Sequence, residues 1–92
     1  MKAYPQWRSL REIDLAASQS KGASFRLFKR MNSQWREGRD FVVLHHEHDA
    51  GAIAELRESA RIYASSVNVV LLHPGAAETL LAALAVSPST RR

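Results

Sequence analysis

Apolar positions change their spacing several times along this chain of 92 residues. Leu10, Ile13, Ala16 and Ala17 recur at steps of three and four, the spacing of one buried helical face. At their start, Ser9-Leu10-Arg11-Glu12 reads as a capping box: the Ser9 hydroxyl accepts from the Glu12 amide, and the Glu12 carboxylate reaches back to the Ser9 amide. A helix opens there and runs until Ser18-Gln19-Ser20 interrupts the pattern. A second helix is expected over residues 21–31, capped by Ser20, with Phe28 three positions after Phe25 and Met31 four after Leu27. Glu37-Gly38-Arg39-Asp40 has turn composition, and Phe41-Val42-Val43-Leu44 is a β-favouring run. Asp49 suits the N-cap of a helix over residues 50–60, with Ile53, Leu56 and Ala60 on one side. Ile62-Tyr63-Ala64 and residues 67–72 are β-rich and separated by Ser65-Ser66, which predicts either a hairpin or one bent strand. Pro74 and Gly75 close the sheet, and residues 76–85 favour a last helix carrying Leu80, Leu81 and Leu84. The pattern predicts an α+β domain over residues 1–86 with about four helices and two to three short strands, followed by a tail at 87–92.

Composition narrows the function more than the fold. At 46% hydrophobic and 24% charged the chain has the make-up of a folded protein, and its length provides one small core. So small a core makes an oligomer that buries more apolar surface a reasonable expectation. The absence of cysteine excludes disulfides, thiolate zinc sites and thiol nucleophiles, and fits a reducing cytoplasm. No apolar run approaches the roughly 18 residues of a membrane span, and no apolar stretch follows the first residues as in a signal peptide. The net charge of +4 is unevenly placed. Residues 1–39 hold nine cations against three anions, whereas residues 40–92 hold four against six. A basic front half permits a polyanionic partner.

Residues 9–30, Ser-Leu-Arg-Glu-Ile-Asp-Leu-Ala-Ala-Ser-Gln-Ser-Lys-Gly-Ala-Ser-Phe-Arg-Leu-Phe-Lys-Arg, resemble the bacterial helix-turn-helix. The shared features are the Leu-Arg-Glu-Ile opening, small residues, a tight turn, a Ser-Lys start to the second helix and a basic remainder. Two positions depart from that pattern. Ser18 stands where glycine is favoured at the turn, and Ser24 stands where a branched apolar residue packs between the helices, with Phe25 one place later. The order of elements, with Trp35-Arg36-Glu37-Gly38-Arg39-Asp40-Phe41 after the helices, is also similar to the KilA-N class of phage antirepressor-type N-terminal domains. The resemblance implies a winged-helix-like homodimeric regulator that reads double-stranded DNA with the second helix in the major groove. It implies base or phosphate contacts from Lys21, Ser24, Arg26, and Lys29 or Arg30, with Arg36 and Arg39 reaching flanking phosphates. Localisation would then be cytoplasmic, at the nucleoid. The alternatives are a protein-interaction module, such as an antirepressor or adaptor, and a nonspecific architectural DNA binder.

Other chemistry is sparse. His45, His46 and His48 beside Glu47 and Asp49, with His73 further on, are the cluster with metal-ligand character, but lacking cysteine and a helical His-x-x-x-His spacing they read as a polar loop, and no metal or cofactor is expected. Trp7, Trp35, Tyr4 and Tyr63 read as core anchors rather than as a base-stacking series. The last helix can cap the core or form a dimer seam. With no phosphate loop, nucleophile elbow or acid/base pair, no enzyme activity is expected.

Overall fold

The computed structural model describes residues 6–85, so the expected tail at 87–92 and Tyr4 lie outside the described residues. The elements run β1 (Arg8–Ser9), α1 (Leu10–Ala16), α2 (Ala23–Met31), a 3₁₀ turn (Asn32–Gln34), β2 (Phe41–Leu44), α3 (Ala50–Glu58), β3 (Val69–Leu72) and α4 (Pro74–Ala85). The α+β class holds, with four helices and a three-stranded antiparallel sheet among the described residues.

In the sheet order β1-β3-β2, β3 lies at the centre, and Phe41 to Leu44 pair with Leu72 to Val69. Side chains alternate between the two faces of a strand, and both faces here are apolar. Phe41, Val43, Val70 and Leu72 point toward Ile13, Phe28, Ala76, Ala77, Leu80 and Leu84, so α1, α2 and α4 form one layer. Val42, Leu44, Val69 and Leu71 meet Ile53, Leu56 and Ile62, so α3 forms the layer behind. Leu56, Leu71, Leu72 and Leu80 are wholly buried, each contributing about 1.5–3 kcal/mol relative to an exposed position. Both strands are therefore continuous apolar runs, as expected of strands covered on two sides.

This arrangement corrects several sequence expectations. β2 and β3 are joined through α3, so the strands form a central layer and no hairpin wing extends from the helices among the described residues. Residues 62–64 are not a strand; Arg61 and Tyr63 turn back to hydrogen-bond α1 while Ile62 enters the core, and the chain turns at Ala64–Ser65, where the Ser66 amide donates to the Tyr63 carbonyl. Asp49 occupies the N-cap of α3 without capping it, because its carboxylate accepts from the His45 amide at 2.9 Å and closes the preceding turn. β1 carries no β-favouring residues and was not foreseen; Ser9 there is fully buried and donates to the Arg61 carbonyl.

Candidate functional site

The capping box at the start of α1 is present as expected, with Ser9 Oγ accepting from the Glu12 amide at 3.1 Å and Glu12 Oε1 accepting from the Ser9 amide at 2.8 Å. The Glu12 carboxylate also takes the Arg61 guanidinium at 2.9 Å and 3.2 Å. Burial pushes the Glu12 carboxyl up, but Arg61 and the Ser9 amide outweigh it and hold the group below its ordinary value. Beyond the end of α1, Ser18 adopts φ 57 and lets Gln19 N–H reach the Asp14 carbonyl at 2.8 Å. That is a Schellman turn with serine at the position that glycine favours.

Asp14, one turn into α1, orients the second helix. It is 1% exposed. Oδ1 accepts from the Ser24 amide at 2.8 Å and the Ser24 hydroxyl at 2.6 Å, and Oδ2 accepts from the Gly22 amide at 3.1 Å and the Tyr63 hydroxyl at 2.6 Å. The free amides at the start of α2 are thus bound by a carboxylate from the preceding helix, where a local serine was expected. Ser20 does not cap: Gly22, at φ 94, holds the N-cap position, and α2 begins at Ala23 rather than at 21. Burial raises the Asp14 carboxyl, yet the four donors more than offset it and leave the group below its ordinary value. The Tyr63 phenol moves the other way, pushed up to about 12 by burial and then by its hydrogen bond to the Asp14 carboxylate.

With α2 held in this way, its faces are settled. Ser24 and Phe28 are buried and Leu27 and Met31 half-buried. Phe28 stacks on Trp35 at 6.0 Å and meets Phe41 edge-on at 5.1 Å, fastening the helix to the sheet. Phe25, Arg26, Lys29 and Arg30 are exposed on the opposite face. Lys29 lies 5.5 Å from the centroid of Phe25, and the Arg26 guanidinium folds along the surface over Gly22. Among the described residues, Arg26, Lys29 and Arg30 form no ion pair.

The other predicted contacts are dispersed. Ser24 is 0% exposed and its hydroxyl is committed to Asp14, which removes it from any outer surface and corrects its expected role. Lys21 is exposed but turns away from α2 toward the 63–65 loop, donating to Ser65 Oγ at 3.0 Å. Arg36 and Arg39 are exposed at the turn before β2, where Arg39 pairs with Asp40 at 2.8 Å. That contact holds the Asp40 carboxyl below its ordinary range.

The histidines separate to individual tasks. His46 Nδ1 lies 3.1 Å from Asn68 Oδ1, the His45 and His48 rings meet edge-on, and His73 Nδ1 accepts from the Gly75 amide at the start of α4. Among the described residues no three His, Asp or Glu side chains are placed to share a metal ion. Trp35 packs on the core, and Trp7 lies edge-on to His73 at 5.5 Å. The sequence reading missed Asp14, Arg11 and Arg61, and gave Tyr63 only as a core anchor, without its bond to Asp14. Their only signal is polar side chains within or just beyond apolar faces, a pattern that does not name its partners. No family model, curated protein or solved structure matches this chain.

Proposed function

We propose that this chain binds double-stranded DNA as a sequence-specific regulator, with α2 in the major groove. The observation that carries this reading is the outer face of α2, where Arg26, Lys29 and Arg30 are exposed together with no acidic partner among the described residues. Cations left unpaired on one helical face can release counterions from phosphates, which drives association with DNA. Arg26, nearest the N-terminal end of the helix, takes the base-edge role; Lys29 and Arg30 hold phosphates. Arg36 is placed in a separate exposed turn.

The test is binding to selected genomic fragments and to random duplex, followed by fluorescence anisotropy at two salt concentrations. One fragment should keep its advantage as salt rises. Arg26→Ala should cost about 1–3 kcal/mol on that fragment and relax its preference, whereas Lys29→Ala should weaken all duplexes alike and lower the salt slope by about one. Equal losses on preferred and random DNA for Arg26→Ala would remove the base-reading role. Absence of any preferred fragment would refute sequence-specific binding.

A further inference from the structure

A cleft of about 230 Å³ opens between α1, the start of α2 and the segment 62–70. Leu10, Phe25, Ile62 and Val70 give it apolar walls, and Arg11 and Lys21 line it as cations. Both cations stand at Tyr63, the guanidinium carbon 5.7 Å and the ammonium 5.1 Å from the ring centroid. Each donates to a neutral acceptor, Arg11 to the Ala60 carbonyl and Lys21 to the Ser65 hydroxyl, and neither pairs with an acid among the described residues. The acid lining the cleft is Asp14, whose oxygens are already occupied by four donors and whose side chain is closed to solvent. The cleft therefore has apolar walls, a cationic rim and a surplus of positive charge.

We propose that this cleft binds a small monocarboxylic acid, its apolar body against Leu10, Phe25 and Ile62 and its carboxylate between Arg11 and Lys21. Hydrogen bonds from a cation to an ionised acceptor are about twice as strong as those to a neutral one, and the flat guanidinium matches a carboxylate. The driving force is thus exchange of the two neutral acceptors for an ionised one, together with burial of the ligand's apolar body. The volume lies below the roughly 300–1,000 Å³ of sites for drug-sized ligands, which selects acids of benzoate or hexanoate size and excludes nucleotides. This site does not depend on α2 contacting DNA, and its test uses no nucleic acid.

Isothermal titration calorimetry and thermal melting of the full chain with hexanoate, benzoate, hexylamine and inorganic phosphate decide the matter. Both acids should bind and raise the melting temperature, hexylamine should do neither, and phosphate, which has no apolar body to bury, should bind more weakly than either acid. Lys21→Met should weaken hexanoate about tenfold, the loss of one charge-assisted contact. Phe25→Glu changes an exposed side chain and sets an anion at the mouth, so it should weaken hexanoate similarly without unfolding the chain. Hexylamine or phosphate binding as tightly as hexanoate, failure of both acids to bind, or full hexanoate affinity in either folded variant would overturn the proposal.

Discussion

Removing the charge from Asp14 while keeping its shape isolates what the carboxylate does. In Asp14→Asn the NH2 of the amide must face two of the four donors now bound, and since a hydroxyl can turn to accept but a backbone N–H cannot, either the Gly22 or the Ser24 amide loses its acceptor. Hydrogen bonds to a charged group contribute about 1.5–3 kcal/mol each, so the variant should lose about 2–3 kcal/mol, measured by urea unfolding at neutral pH. The pH dependence has a definite sign. Asp14 and Glu12 both lie below their ordinary values of 3.8 and 4.5, so their contribution is complete above those values and disappears as acid titrates the folded-state carboxyls below them. Tyr63 acts at the opposite end: raised from 10.0 to about 12, it contributes stability that is whole below pH 10 and lost as pH climbs toward 12. Phenolate absorbance should follow that upper midpoint, and Tyr63→Phe should flatten the alkaline limb of the stability curve. The Glu12 contact to Ser9 was legible in the sequence as a capping box, but the Asp14 network was not, since Asp14 stands there only as an acid between Ile13 and Leu15. In the fold it is buried and Leu15 is 57% exposed. Hydropathy assigns a face by average polarity and has no means of showing that four donors from two segments converge on one acid.

At the scale of elements, local signals performed well wherever a residue acts on its near neighbours. The Ser9–Glu12 box and the Phe41–Leu44 strand involve residues within a turn of each other, and both are found; the last helix is found too, but it starts at Pro74 rather than at the expected 76. Ser20 and Asp49 failed as caps because each local option lost to another contact, Asp14 for the start of α2 and the His45 turn for Asp49. The helix ends repeat one device. α3, like α1, closes with a Schellman turn, in which Arg61 N–H reaches the Leu56 carbonyl at 2.9 Å across Ala60 at φ 61. A left-handed residue other than glycine costs roughly 1–2 kcal/mol, part of which glycine returns through the greater freedom of the unfolded chain. Ser18→Gly and Ala60→Gly should therefore each stabilise the domain by about 0.5–1 kcal/mol. The converse change, Gly22→Ala, should destabilise: φ is 94, and the new methyl would lie 3.2 Å from Arg26 Nη1. Thermal melts of the three variants, with opposite signs expected, provide the check.

For the whole molecule, the length of α2 limits how DNA could be read under the proposed function. Its nine residues span about 13 Å at 1.5 Å per residue, or about four base pairs at 3.4 Å each. Among the roughly 10⁶–10⁹ competing sites of a genome, so short a contact from one copy does not single out an operator. Arg36, at an exposed turn outside α2, adds charge without adding base readout. Under the proposed DNA-binding reading, specific recognition calls for two copies on repeated half-sites about one helical turn apart, each copy inserting its own α2. The measurable consequence is stoichiometry. Sedimentation of the chain with its preferred duplex should give two chains per duplex, and footprinting should show two protected segments about ten base pairs apart, centre to centre. Scrambling one half-site should lower affinity at least about tenfold, since each mismatched pair costs about 1–3 kcal/mol. A single chain holding one duplex with undiminished preference would show that the contacts outside α2 carry the specificity.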